Sequence, residues 1–120
     1  MKEAIVLFGH GSREAQWARP FQQLAESLSR KTDCTIRLAY LELMSPSLTD
    51  AIATLANEGV TAIRVVPVFL GVGGHTRHDL PKLVEAARAR HGAVQVTLDA
   101  PIGEQASVIE AIATAIARNS

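Results

Sequence analysis

Short apolar segments alternate along this chain with longer amphipathic ones, and this alternation constrains the fold more than any other feature. The segment at 4–8 is wholly apolar, and the segment at 62–69 is nearly so. Apolar runs of this length that end near a glycine are typical of strands buried on both faces of a parallel sheet. Segments 35–41 and 94–98 alternate apolar and polar positions, which predicts two further strands, the first of them at an exposed edge.

A helical pattern follows each predicted strand. The predicted helices run from about 16 to 31, from the Ser47 cap to about 57, from just after 76 to 91, and from about 104 to 118. Pro20 fits the first helix only within its first turn. Ser47 and Asp50 have the spacing of a capping box. The residues expected to face inward from the first helix are Phe21, Leu24, Ala25 and Leu28. Those expected to face inward from the last helix are Val108, Ile109, Ile112, Ala115 and Ile116.

The alternation predicts an α/β fold, a three-layer sandwich in which helices cover both faces of a four-stranded parallel sheet. A flavodoxin-like strand order, 2-1-3-4, makes the first and third strands neighbours. Ligands bind such sheets beyond the carboxyl ends of the strands, where the strand order reverses. The 120 residues have the length of one domain, 1–120, with no linker or repeat.

The composition excludes several classes of function. Twelve basic and twelve acidic residues cancel, so no nucleic-acid or anionic-membrane partner is expected. A single cysteine, Cys34, excludes an internal disulfide and any cysteine-rich metal site. The N-terminus has no signal-peptide pattern, and no apolar stretch approaches the roughly 18 residues of a membrane span. We therefore expect a soluble, cytoplasmic protein.

The first candidate site is the segment 9–13, which follows the first strand. His10 lies between Gly9 and Gly11, which would let a ligand approach the backbone closely. Ser12 and Arg13 lie near a predicted helix N-terminus, where free amides favour an anion. The plain alternative is a tight turn with an exposed histidine.

The second candidate site is the glycine-rich segment 71–76, which follows the third strand. It carries His75, and Gly71, Gly73 and Gly74 would form a low platform for a flat ligand. Alternatively, the glycines serve a strand-to-helix turn, and Thr76 with Asp79 forms a capping box.

Glu42 ends the second strand and adds a third polar group at the same predicted edge. Taken alone, it reads as an ordinary exposed charge. Together, His10, Glu42 and His75 would suit a divalent first-row metal ion. Binding would be transient, because no thiolate is available to hold the ion tightly.

These residues, in this order, resemble the short CbiX-type sirohydrochlorin chelatases of the class II, ATP-independent chelatase superfamily. The resemblance covers essentially the whole chain. The segments that carry it are 9–13, Glu42 with Pro46, 67–70, Gly74 with His75, and 79–81. It implies insertion of Co²⁺ or Fe²⁺, with Ni²⁺ a further candidate, into sirohydrochlorin, a tetrapyrrole that carries many carboxylates. The pathway would be cobalamin or sirohaem biosynthesis.

The resemblance also implies roles for particular residues. His10 and His75 would handle the metal and accept protons, with Glu42 assisting. The residues expected to bind the substrate are Gly9, Gly11, Ser12, Arg13, Gly73, Gly74 and Thr76. No permanently bound cofactor is expected, because the metal is a substrate. Larger relatives place two such domains across a cleft, so this half domain is expected to form a homodimer.

Two other functions are alternatives to metal insertion. A non-catalytic carrier of metal or tetrapyrrole would use the same histidines. An α/β-hydrolase-like esterase would need a Gly-x-Ser-x-Gly elbow, which the sequence lacks. The phosphate-binding pattern Gly-x-x-x-x-Gly-Lys-[Ser/Thr] is also absent, which is consistent with an ATP-independent reaction.

Overall fold

A computed structural model describes residues 2–118, which form a four-stranded parallel sheet in the order β2-β1-β3-β4. The strands are β1 (Glu3–Gly9), β2 (Thr35–Tyr40), β3 (Ala62–Pro67) and β4 (Gln95–Leu98). The helices are α1 (Arg19–Ser29), α2 (Leu48–Asn57), α3 (Gly74–Arg90) and α4 (Ala106–Arg118). Short 3₁₀ turns at Ala15–Ala18 and Ile102–Glu104 precede α1 and α4. The predicted fold class, strand order and edge position of β2 are confirmed.

The two faces of the sheet carry separate apolar clusters. On one face, α2 and α3 pack on alternate residues of the central strands, including Val6, Phe8 and Val65. On the other face, α1 packs through Phe21 on Ile5 and Leu7. Both faces of β1 are therefore buried, as its continuous apolar run predicts.

The strand register brings the carboxyl ends of three strands together. Gly9 at the end of β1 pairs with Tyr40 at the end of β2, and Phe8 pairs with Pro67 at the end of β3. The segments that follow these strands therefore leave the sheet at one edge. This edge carries His10, Glu42 and His75 and is called the carboxyl edge below.

Element boundaries differ from the prediction where proline or a competing hydrogen bond intervenes. Pro20 lies at the start of α1, so the preceding residues form only a 3₁₀ turn instead of the first helical turn predicted from residue 16. Strand β3 ends at Pro67 rather than at Phe69. The Phe69 carbonyl accepts a hydrogen bond from Gly103 at 2.9 Å and so leaves the sheet ladder. Leu24, predicted to face inward, is 41% exposed.

The prediction that the apolar side of α4 faces inward is wrong. None of its residues is buried, and Ile109, Ile112 and Ile116 are exposed. The 3₁₀ turn before it is fixed at the carboxyl edge, because a side chain at Gly103 would lie 2.4 Å from the Leu70 backbone. From this anchor, α4 packs chiefly on that turn and does not fold back over the sheet. The apolar stripe of α4, which includes Ile109, Ile112 and Ile116, is therefore not covered by any other part of the described chain.

Among residues 2–118, no helix combines the length and the apolar character needed to cross a bilayer.

Candidate functional site

His10 presents an exposed imidazole at the carboxyl edge, supported on one side by an aromatic ring. Its ring centroid lies 4.4 Å from that of Phe69, with the planes tilted by 41°. Phe69 is in turn packed edge-on against Phe8 in the core, at 6.0 Å. The imidazole is thus positioned by the core and remains open to a ligand on its other side.

The glycines beside His10 have internal packing roles. Gly9 is buried, and a side chain there would lie 2.4 Å from the ring of Phe21. Gly11 has a φ of +91°, and its added Cβ would lie 1.8 Å from the carbonyl oxygen of Glu42. Glycine is therefore required at both positions by the protein itself, which differs from the ligand approach suggested by the sequence.

The backbone ties Glu42 to His10. Beyond the last strand residues, the amide of Leu41 donates to the Gly9 carbonyl at 2.8 Å, and the amide of Glu42 donates to the His10 carbonyl at 3.1 Å. Pairing between the first two strands thus continues into the loops. Glu42 is exposed and held next to His10 without using its carboxylate.

The loop after β2 folds back on itself and exposes two leucines. The Tyr40 amide donates to the Pro46 carbonyl at 2.9 Å, which closes the loop, and the Ser45–Pro46 peptide is cis. Leu43 has a φ of 67°, a left-handed conformation that is uncommon for a leucine. Its side chain is 56% exposed, and Leu41 is also exposed. The loop therefore presents an apolar rim beside Glu42.

His75 lies in the first turn of α3, which begins earlier than predicted. Gly73 is the N-cap of this helix and no side chain caps it, so the alternative of a Thr76–Asp79 capping box does not hold. Side chains added at Gly71, Gly73 or Gly74 would meet nothing within 4 Å. The segment is therefore an open, low surface beside the exposed His75.

Ser12 and Arg13 lack the helix N-terminus expected beside them. The Ser12 hydroxyl accepts a hydrogen bond from the Glu14 amide at 3.1 Å and so shapes the turn. The helix that follows is a four-residue 3₁₀ turn, which offers little aligned dipole for an anion. Arg13 is exposed, and within residues 2–118 it makes no ion pair.

The three predicted metal ligands share the carboxyl edge but do not form a ready-made coordination cluster. Within residues 2–118, no group of three or more histidine, cysteine, aspartate or glutamate side chains is arranged to hold a metal ion. A cavity of about 80 Å³ lies at this edge, lined in part by Pro67, Leu80 and Pro101. It is smaller than the roughly 300–1,000 Å³ of typical ligand pockets. The edge of one chain is therefore an open surface.

Sequence reasoning gave no role to Trp17 or Tyr40, two aromatic residues that support this edge. Trp17 stacks on Phe21 at 5.4 Å, and Tyr40 lies 6.2 Å from both rings. Burial raises the pKa of the Tyr40 phenol above its ordinary value of 10.0, because the phenolate would lose its hydration. Tyr40 immediately precedes the loop that carries Glu42, and this position was the one signal of its role in the sequence.

Comparisons with known proteins all point to one family. A family model described as CbiX matches residues 4–119. Sirohydrochlorin cobaltochelatase from Methanopyrus kandleri is 39% identical over 82 residues, which are 68% of this chain and 57% of that protein. Sirohydrochlorin ferrochelatase from Bacillus subtilis is 28% identical over 113 residues, 93% of this chain and 43% of that protein. The matched part thus spans only about half the length of these two relatives.

A third relative matches along most of its length. Sirohydrochlorin cobaltochelatase from Sulfurisphaera tokodaii is 31% identical over 106 residues, 88% of this chain and 84% of that protein.

Two solved structures have a fold similar to that of this chain. The crystal structure of a CbiX protein from Marinobacter aquaeolei VT8 superposes with a TM-score of 0.86 and 35% identity, covering 98% of this chain and 96% of that one. The sirohydrochlorin chelatase SirB from Bacillus subtilis subspecies spizizenii, in complex with cobalt, superposes with a TM-score of 0.83 and 27% identity. This superposition covers 98% of the present chain and 51% of the SirB chain.

Proposed function

The chain belongs to the CbiX family, and from this premise we propose that it catalyses ATP-independent insertion of a divalent metal ion into sirohydrochlorin. The observation that carries the proposal is the exposed imidazole of His10, held on Phe69 at the carboxyl edge. Relatives named as cobaltochelatases and ferrochelatases support Co²⁺ or Fe²⁺ as the substrate metal, and Ni²⁺ is to be tested with them.

Insertion replaces two pyrrole N–H protons with one M²⁺ ion, so the site must accept two protons near neutral pH. A neutral imidazole can accept one proton in this pH range, so two imidazoles are needed. We assign this role to His10 and His75. Phe69 shields one side of the His10 ring, which leaves the other side to face the macrocycle.

The same three polar side chains would hold the incoming metal. Imidazole nitrogens of His10 and His75 and the carboxylate of Glu42 suit a divalent first-row ion. Their loose arrangement in a single chain fits a substrate metal, because an ion bound in a closed set of ligands would not pass to the macrocycle. No permanently bound cofactor is part of this proposal.

The carboxylates of sirohydrochlorin require cationic and amide partners. Arg13 is exposed and free of other ion pairs among the described residues, so its guanidinium can bind a carboxylate. The open segment with Gly73, Gly74 and Thr76 offers backbone amides and a flat approach. The turn with Gly9, Gly11 and Ser12 contributes by shaping the loop around His10.

We further propose that residues 1–120 form one chelatase domain and that two copies build the working cleft. The open carboxyl edge supports this, since one wall alone would leave a tetrapyrrole largely in solvent. The match to half of SirB points to a second lobe of similar size. The absence of nucleic-acid and membrane partners, and a cytoplasmic location, stay predictions from the sequence.

A turnover assay tests the proposed activity. Purified protein is mixed with Co²⁺ and excess sirohydrochlorin, and absorbance is followed over many equivalents of substrate. Sustained conversion beyond the uncatalysed rate is expected. Conversion that stops at one equivalent per chain would indicate a carrier instead. Parallel assays with Co²⁺, Fe²⁺ and Ni²⁺ then rank the metals and separate the cobalamin from the sirohaem pathway.

A further inference from the structure

Arg77 is a cationic side chain at the carboxyl edge that has no role in the proposed site. It lies in the first turn of α3, two positions after His75, and its side chain is 64% exposed. Two positions on a helix are about 200° apart, so the side chains of His75 and Arg77 leave opposite sides of α3. If His75 faces the centre of a bound macrocycle, Arg77 is therefore placed for the periphery.

The guanidinium of Arg77 is held only loosely by the carboxylate of Glu104. Their closest nitrogen and oxygen atoms are 3.6 Å apart, beyond the length of a hydrogen bond. The pair formed by Arg64 and Asp99, at 2.7 Å, is much closer. An exposed pair with a long contact contributes little to stability, so another carboxylate can replace Glu104 at small cost.

The small cavity at the carboxyl edge lies beside Arg77, which forms part of its wall. It measures about 80 Å³. Its apolar lining consists of Pro67, Val72, Leu80, Pro81, Leu98 and Pro101. The cavity is too small for a macrocycle, but its walls suit a short aliphatic arm whose carboxylate reaches the guanidinium. Asp99 also lines it, and its charge is compensated by Arg64, so it does not neutralise Arg77.

We infer that Arg77 and this cavity bind one carboxylate-ended arm of the tetrapyrrole, and that Glu104 competes with that arm for the guanidinium. The inference rests on the proposed function, because it takes sirohydrochlorin as the ligand. A guanidinium can bind a carboxylate through two parallel hydrogen bonds, which the contact with Glu104 does not provide. Arg13, after β1, and Arg77, after β3, thus bind separate carboxylates of one macrocycle.

Equilibrium binding of metal-free sirohydrochlorin, followed by absorbance, tests the inference without turnover. Arg77→Gln is expected to raise the Kd about 10-fold or more, because it removes charge-assisted hydrogen bonds. Arg77→Lys should give an intermediate Kd, since an ammonium keeps the charge and loses the paired geometry. Arg90→Gln is the matched control, at an exposed position at the other end of α3, and should bind as the wild type does. Thermal unfolding of each variant verifies the fold.

Glu104→Gln gives the sharper test, because its expected effect has the opposite sign. It removes the competing carboxylate, so the Kd should fall about two- to fivefold. In a chain that already carries Arg77→Gln, the same substitution should have no effect, because both side chains act on one interaction.

Three results would overturn the inference. Wild-type affinity in Arg77→Gln would exclude contact with the substrate. A higher Kd in Glu104→Gln would mean that Glu104 supports the site and does not compete. An equal effect of Glu104→Gln with and without Arg77 would reduce its role to general charge repulsion.

The proposed activity is tested separately by turnover of the unaltered protein. Any of these three results leaves metal insertion standing. Binding of sirohydrochlorin that depends on Arg77 but leads to no turnover would remove the activity and retain the binding site. A wild-type protein that does not bind sirohydrochlorin would overturn both.

Discussion

The carbonyl oxygen of Glu42 occupies the space that a side chain at Gly11 would need. An added Cβ at Gly11 would lie 1.8 Å from that oxygen, far inside any real contact distance, and the φ of +91° adds backbone strain. The turn that carries His10 and the loop that carries Glu42 are therefore packed backbone to backbone. This contact joins the two halves of the proposed site and fixes their separation.

Gly11→Ala is expected to destabilise the protein by about 2 kcal/mol or more, because either the Glu42 loop or the His10 turn must move. Insertion activity should fall with it. The measurement is denaturant unfolding together with the turnover assay. Gly92→Ala is the matched control, since nothing lies within 4 Å of that position and it is outside the proposed site. Equal stability losses in the two variants would contradict the packing explanation.

His10→Ala and His75→Ala are each expected to lower the turnover number by about 100-fold or more, the usual loss when a general base is removed. Both side chains are exposed, so thermal unfolding should change little. His91→Ala, at the other end of α3, serves as the control and should retain full activity. Wild-type rates in both variants would refute the assigned roles.

Glu42→Gln is expected to raise the KM for the metal ion with a smaller effect on turnover, because it removes a charged ligand and no proton acceptor. The fold should be unaffected, since Glu42 contacts His10 and Gly11 through its backbone. Metal titrations at saturating sirohydrochlorin provide the measurement. A loss of folded protein would instead show that the carboxylate is structural.

Leu43→Asn is expected to raise stability slightly and to weaken sirohydrochlorin binding. Asparagine tolerates the left-handed conformation that Leu43 adopts, at a gain of up to about 1 kcal/mol. We expect the apolar rim to contact the macrocycle, so loss of the exposed leucine should raise the KM for sirohydrochlorin. Leu24→Asn, at an exposed site on α1, controls for simple loss of surface apolar area. An unchanged KM in Leu43→Asn would exclude contact with the substrate.

Tyr40 is expected to contribute to unfolding at alkaline pH. Burial raises the pKa of its phenol in the folded chain above the ordinary value of 10.0. The unfolded chain therefore releases this proton first. The contribution is complete below about pH 10 and is lost as pH rises through the folded-state pKa. Unfolding free energies measured from pH 8 to 11 should fall less steeply for Tyr40→Phe. If the unfolding free energy falls equally steeply with pH in both proteins, Tyr40 does not contribute to alkaline unfolding.

Much of the scaffold could be predicted from local pattern. The apolar run of β1 and the Ser47 cap of α2 both act over a few residues, and each has the predicted role. Strand order followed because right-handed crossovers leave few arrangements for four alternating strands and helices. The glycines beside His10 were misjudged, because their contacts with Phe21 and Glu42 join distant parts of the chain.

The sequence by itself determined the sheet, its order and the carboxyl edge that gathers His10, Glu42 and His75, because periodicity and chain connectivity encode these locally. Only the tertiary structure decided what each residue contacts there. It placed His10 on Phe69, packed Gly11 under Glu42 and left the stripe of α4 uncovered. Hydrophobic periodicity says that a helix has an apolar side, but it does not say which surface covers that side. That choice depends on where the Gly103 anchor directs the chain.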